Sequence, residues 1–327
     1  MKNYIIFDTS IGSLNVGDQI INNSFNKNMK DIYGDGFVVR YPTHTPVSHF
    51  YQNNKFNRFY RYVKSCSAKF IVGTNILSSN MFEPWPNWNV NIFNCSPYKN
   101  SVLVGCGFGS DTDNVNLYTR ILFSKTLSKN FIHSVRDERT KRILNSLGYK
   151  AINTGCVTMW GLTKGHCEKI PNKKQENVVF TLTDYKKNKM LDQKLINILK
   201  ENYKKVYYWV QGSADLDYFN SLGNIDNIII VNPNLDDFKD VLVNKNVDYI
   251  GTRLHAGVFA MQNFVRSIIL IVDNRARDMK ETYNLPAIER DNIDTDLKNM
   301  INADFKTEIN IDEFRIKEWK KQLNEKL

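Results

Sequence analysis

Arg253 and His255 stand close together in Gly251-Thr252-Arg253-Leu254-His255, just after an apolar run ending at Ile250 and just before the small, apolar stretch Ala256 to Met261. A strand ending there and a helix starting there bring fixed charge, a titratable proton donor and oriented backbone amides to one spot. Such a set can hold an anion and deliver a proton, with the Thr252 hydroxyl alongside. Of the histidines His44, His49, His133, His166 and His255, the last is the one whose strand-end position suits chemistry rather than packing. A second turn, Ser134-Val135-Arg136-Asp137-Glu138, places Arg136 where it can grip a carboxylate or phosphate through two parallel hydrogen bonds, or else pair with Asp137 as a brace. In a third, Asn15-Val16-Gly17-Asp18, Gly12 and Gly17 allow a ligand close to the backbone. Asp18 can then bond a sugar hydroxyl or act as a base, or it can cap the helix that follows.

Two weaker signals accompany these turns. Trp85-Pro86-Asn87-Trp88 offers aromatic faces on which a pyranose ring could stack, or else stiffens a loop. Gly105-Cys106-Gly107-Phe108-Gly109 has the glycines of a phosphate loop but lacks a GKS/T ending, so it is not a P-loop.

The elements that must position these residues alternate along the chain. In the second half, strands are expected at Val178 to Leu182, Val206 to Val210, Ile228 to Val231, Val247 to Ile250 and Ser267 to Val272. Amphipathic helical stretches separate them, which is the pattern of βαβ units on a buried parallel sheet. In the first half, strands are expected at Tyr4 to Phe7, Phe37 to Val39, Phe70 to Val72, Val102 to Val104 and Phe131 to Ser134, with helices after Asp18, His49, Asn114 and Asp137. The polar stretch Lys164 to Asn177 reads as a linker, and 327 residues suit two domains. The expected organisation is an α/β chain of two doubly wound, Rossmann-like domains facing a cleft. These are 1–165 and 175–305, followed by 306–327 as a helix packing back on the first domain. Ile316, Trp319 and Leu323 form the apolar stripe of that last helix. Ligands of doubly wound domains bind beyond the carboxyl ends of the strands.

A formal net charge of +10 favours anionic partners. The densest aromatic and basic stretch, Phe56 to Lys69, could face nucleic acid or a membrane; helical spacing instead suggests Phe56, Phe59, Tyr60 and Val63 inward with Arg58, Arg61 and Lys64 in solvent. No nucleic-acid partner is expected. The longest apolar runs, such as Ser267 to Val272, are too short to span a bilayer, and the start of the chain lacks a signal-peptide pattern. The expected location is the cytoplasm, with at most peripheral contact at the anionic inner face of the membrane. Cys66, Cys95, Cys106, Cys156 and Cys167 form no CxxC pair, so neither a disulfide framework nor a metal site is expected.

Taken in order, these segments resemble the polysaccharide pyruvyl transferase family along most of the chain. Asn15-Val16-Gly17-Asp18 looks like the family's N-x-G-D opening, and SVRDERTKRILNSLG, Ser134 to Gly148, is similar to its S-V-R-D-x-x-S segment. DYIGTRLHAGVFAMQNF and IVDNRARDMKETYNLP, within Asp248 to Pro286, resemble its D-x-x-I-x-x-R-L-H-A signature and the strand and helix downstream. The resemblance implies a GT-B-like fold with 1–165 on the acceptor side and 175–305 on the donor side, phosphoenolpyruvate as donor co-substrate without a cofactor, and a sugar or lipid-linked oligosaccharide as acceptor. It also implies that Arg136, Arg253 and His255, with Thr252 beside them, match donor-binding and catalytic positions. Asp18 is the candidate base, and Asn15, Gly17, Trp85 and Trp88 the candidate acceptor contacts. This chain departs from the family in having Gly73-Thr74-Asn75 where many members have a Gly-Gly pair, and Gly155-Cys156-Val157 where a proline turn is frequent. Two other readings stay open: a metal-independent glycosyltransferase using a nucleotide-sugar, and a non-catalytic carbohydrate-binding protein. Loss of the Arg-Leu-His turn would mark the last, and here that turn is intact.

Overall fold

The computed structural model describes residues 1–327 apart from Asp35, Pro84 and Pro86. Its core is built on short apolar runs such as Ile5-Ile6-Phe7 and Ile268-Ile269-Leu270, whose side chains are fully buried, as strands covered on both faces require. The chain divides into two units: Met1–Ser13, Ile21–Trp160 and Asp312–Leu327 form one, and Leu14–Ile20 with Gly161–Ile311 the other.

The first unit carries β1 (Asn3–Asp8), α1 (Gly17–Tyr33), β2 (Phe37–Pro42), α2 (Arg58–Ser65), β3 (Ala68–Leu77), β4 (Val102–Phe108), α3 (Leu117–Thr126), β5 (His133–Val135), α4 (Glu138–Ser146) and β6 (Ala151–Asn153). Its six strands pair in parallel in the order β2-β1-β3-β4-β5-β6. The order therefore reverses between β1 and β3, the point where doubly wound sheets open a crevice.

The second unit carries α5 (Lys164–Cys167), β7 (Asn177–Thr181), α6 (Lys189–Asn202), β8 (Val206–Trp209), α7 (Asp215–Asn220), β9 (Ile228–Val231), α8 (Leu235–Asn244), β10 (Val247–Gly251), α9 (Leu254–Gln262), β11 (Ser267–Ile271), α10 (Asn274–Tyr283), β12 (Ala287–Glu289) and α11 (Lys298–Asn302). Its order, β12-β11-β10-β7-β8-β9, is also all parallel and reverses between β7 and β10. The final helix, α12 (Glu313–Lys326), returns to the first unit, where Ile316, Trp319 and Leu323 are buried and Trp319 Nε1 donates to the Ile132 carbonyl at 2.7 Å.

These units differ from the expected boundaries in three places, the first being that residues 161–165, expected in the first domain, belong to the second unit. Residues 14–20 group with the second unit because Val16 N donates to the Gln211 carbonyl (3.0 Å) and Ser213 N to that of Leu14 (3.0 Å). Residues 306–311 also stay with the second unit, where Asn310 N donates to the Tyr283 carbonyl. The stretch expected as a linker is ordered at its start. Thr163 caps α5, and Cys167 and Ile170 are buried.

Candidate active site

The Arg-Leu-His turn lies at the strand-order reversal of the second unit. β10 ends at Gly251 beside Thr181, the last residue of β7, and α9 starts at Leu254 with Arg253 as its N-cap. Thr252 N and Oγ1 both reach the Thr181 carbonyl, at 3.1 and 3.4 Å, so this hydroxyl ties the turn to β7. His255 occupies the first turn of α9 and is 7% exposed.

Arg253 is not the open anion clamp that its spacing suggested. Its Nε donates to Asp215 Oδ2 (3.1 Å) and to the Leu182 carbonyl (3.2 Å), and its Nη2 to Asp184 Oδ1 (3.0 Å) and to Asp215 Oδ1. The guanidinium also lies 5.1 Å from the centre of the Tyr185 ring. Asp215 is itself fully buried and accepts from Gly212 N and Asp184 N. Burial works against the Arg253 charge, but Asp215, Tyr185 and Asp184 outweigh it and keep the guanidinium protonated. Burial likewise pushes the Asp215 carboxyl upward, with Arg253 opposing. The planar fork of arginine suits such a two-carboxylate brace, and it holds the start of α9 in place.

Asn15, Gly17 and Asp18 are drawn to this same unit. Asn15 Oδ1 accepts from Gly17 N (3.0 Å) and from Gln211 Nε2 (2.8 Å), so Asn15 settles an amide at the start of α1. A side chain on Gly17 would run into Gln211, which explains the glycine by close approach. Asp18 lies in the first turn of α1, 7% exposed. Two buried polar atoms here have no hydrogen-bond partner among the described residues: Gln211 Oε1, beyond β8, and Thr183 Oγ1, beyond β7. Beyond β11, Arg275 reaches Asp273 and the Tyr185 hydroxyl. Sequence reasoning missed Gln211, Thr183, Asp215 and Arg275; the strand-end rule that found His255 would have pointed to all four.

In the first unit, Arg136 follows β5, donates its backbone N–H to the Cys106 carbonyl (3.0 Å) and sets Nε 3.4 Å from Asp137. Its side chain is 10% exposed and lies over Gly107, where a Cβ would strike the guanidinium. Thus Gly107, near the end of β4, makes room for a cation. The strand-order reversal of this unit carries a further polar group that the spacing did not single out. The Thr9 carbonyl faces His44 Nε2 at 2.8 Å, and Thr9 Oγ1 bonds Asn22 (3.1 Å) and the Gly73 carbonyl (3.4 Å).

The tryptophan pair separates into two roles. Trp88 is fully buried between Tyr98 and Phe123, so its expected contact with an acceptor is corrected: its ring is core. Trp85 is half-buried and its Nε1 donates to the Asn75 carbonyl at 2.9 Å; Pro86 between them lies outside the described residues. A cavity of about 420 Å³ opens by Met1, Lys2, Tyr4 and the end of α1, at the amino edge of β1 and away from these strand ends.

Solved structures share this architecture. UDP-GlcNAc 2-epimerase of Methanocaldococcus jannaschii, in complex with UDP-GlcNAc and UDP, is 12% identical at a TM-score of 0.52, over 99% of this chain and 100% of that one. A second UDP-N-acetylglucosamine 2-epimerase structure is 10% identical at a TM-score of 0.52, over 99% and 95%. No curated protein matches the sequence. Two all-parallel, doubly wound units with polar turns at their strand ends make this a GT-B-like α/β protein. Residues 15–274 match the profile of the polysaccharide pyruvyl transferase family, so the chain belongs to that family and is a transferase.

Proposed function

We propose that this transferase moves pyruvate from phosphoenolpyruvate onto a sugar of a cell-surface polysaccharide, such as an exopolysaccharide, or of its lipid-linked precursor, on the cytoplasmic side of the membrane. The observation that carries the reading is His255 in the first turn of α9, at the strand-order reversal of the second unit. Phosphoenolpyruvate is an enol phosphate with a carboxylate on C2, and like an enol ether it is nucleophilic at C3. Protonation at C3 leaves an oxocarbenium-like C2, and a sugar hydroxyl attacks that carbon. Phosphate then departs with the C2–O bonding pair, and a second sugar hydroxyl closes the cyclic ketal, each hydroxyl losing its proton. Such chemistry calls for an acid, a base and fixed positive charge near the donor.

His255 serves as the acid or as a phosphate contact, and Asp18 as the candidate base. Arg253 acts by fixing the start of α9, since its fork is committed to Asp215 and Asp184. Donor charge in this unit is met by the α9 amides and Arg275, with Thr183 and Gln211 supplying polar contacts. In the first unit, Arg136 is the candidate contact for a carboxylate or phosphate.

The test is thermal. Phosphoenolpyruvate should raise the melting temperature, with a gain of roughly 2.7 kcal/mol at a hundred times its dissociation constant, whereas UDP- and CMP-sugars should not. Stabilisation by a nucleotide-sugar and none by phosphoenolpyruvate would turn the assignment to glycosyl transfer.

A further inference from the structure

Between Gly36 and Phe82 the sequence contains no aspartate or glutamate, although the whole chain has 34 of them. The same stretch carries Arg40, Lys55, Arg58, Arg61, Lys64 and Lys69. Its middle is the segment leading into α2, and the helix is oriented by its apolar side. Val63 is buried, and Phe59 and Tyr62 pack on the core of the first unit. Arg58, Arg61 and Lys64 fall on the opposite side and are exposed.

The aromatics just before the helix do not follow that pattern. Phe56 was expected to point inward, but α2 begins only at Arg58, with Asn57 as N-cap, so Phe56 lies outside the helical repeat and is 82% exposed. Phe50 and Tyr51 are 71% and 62% exposed. Large aromatic rings standing out beside a cationic helix face, with no acid nearby in sequence, have little reason to be there in a purely aqueous setting. The pairing suits a bilayer interface, where aromatic rings enter the headgroup boundary and basic side chains meet anionic lipid.

We infer that residues 50–64 form a peripheral docking surface for an anionic lipid bilayer. Phe50, Tyr51 and Phe56 insert at the headgroup level, and Arg58, Arg61 and Lys64 neutralise the lipid charge. Lys55, whose Nζ lies 5.2 Å from the centre of the Phe56 ring, keeps its stem on the aromatic face and its charge toward the headgroups. Among the described residues no helix is long and apolar enough to cross a membrane, so this surface holds the chain at the interface without spanning it. Such docking would bring the enzyme to a lipid-linked acceptor. It is measured without turnover, so either idea can fail alone.

The experiment is flotation of the full-length chain with vesicles of phosphatidylcholine alone, or of equal parts phosphatidylcholine and phosphatidylglycerol. The chain should float with the anionic vesicles and stay behind with the neutral ones. F50S/Y51S/F56S and R58E/R61E/K64E should each lose binding, the latter on the order of a hundredfold or more, since each basic residue near an anionic surface contributes roughly fivefold. Because all six side chains lie outside the core, both variants should melt with the parent. Equal flotation of parent and both variants would overturn the assignment, as would no flotation of the parent at low salt. Capture of single-stranded DNA through these residues in place of vesicles would overturn it too.

Discussion

Arg253 and His255 are near neighbours in sequence, yet their environments call for different experiments. Removing the guanidinium strands the fully buried Asp215 carboxylate, so Arg253→Ala should cost roughly 3–5 kcal/mol of stability, read from a denaturant melt. His255→Gln should melt close to the parent and lose roughly 10²-fold or more in phosphate release, the scale of a missing general acid. Parental stability in the first variant would remove the bracing role, and parental turnover in the second would move the acid elsewhere. His133 makes a separate prediction. Its Nδ1 must accept from Leu103 N (3.1 Å) and its Nε2 must donate to the Ser128 carbonyl (2.8 Å), so the fold holds the neutral ring. Burial lowers its pKa from 6.5 to about 4. Below 6.5 the unfolded chain takes up the proton first, so the stabilisation is full above 6.5 and is lost as pH falls toward about 4. The loss amounts to roughly 3 kcal/mol. His133→Gln can keep both hydrogen bonds without titrating, and its melting temperature should fall less between neutral pH and pH about 4.5 than the parent's. Parallel curves for the two proteins would refute this.

At the scale of elements, what matters is how closely strand ends approach each other. The end of β4 passes under the Arg136 side chain at Gly107. Gly107→Ala should leave folding almost intact, because the obstructed atoms belong to a flexible side chain that can move aside. If Arg136 contacts the donor, the displaced guanidinium should weaken phosphoenolpyruvate binding by about tenfold, the scale of one hydrogen bond to a charged group. Calorimetric titration of Gly107→Ala beside Arg136→Ala checks this: both should lose affinity, and parental affinity in both would take Arg136 out of the donor site. A different element, β10, carries Asp248 as its second residue. It bonds Tyr203 and the fully buried Arg266, whose Nη2 caps the carbonyls of Met300, Ile301 and Ala303. The strand therefore has a structural ion pair near one end and the candidate acid just past the other.

For the whole molecule, the first unit is completed by the last residues of the chain. Trp319 packs against Trp160 with ring centres 5.7 Å apart, and Gln322 both donates to and accepts from the Ile132 backbone. Lys320 reaches the Asn28 carbonyl and Asp31 on α1. Trp319→Ala should cost roughly 3–5 kcal/mol, the range for emptying a large buried aromatic site. Chemical denaturation followed by circular dichroism measures it, and a loss below about 1 kcal/mol would mean that α12 does not brace the unit.

Most strands and the Arg-Leu-His turn were legible in the sequence because both-face burial demands continuous apolar runs, and because ligand-facing residues of such sheets collect just past the strand ends. The strands β6 and β12 were not legible. Each is three residues long at a sheet edge, with too few buried side chains to leave a pattern. The stripe of Ile316, Trp319 and Leu323 could be read as a buried helix face from its spacing alone. Tertiary structure alone decided what each charged or aromatic residue would meet. Arg253 closes on carboxylates 38 and 69 residues away, Trp88 goes into the core, and residues 14–20 join the second unit through Gln211. Spacing along a chain specifies which side of an element a residue faces. The partners that can quench its charge or cover its ring are set only when distant segments are packed together.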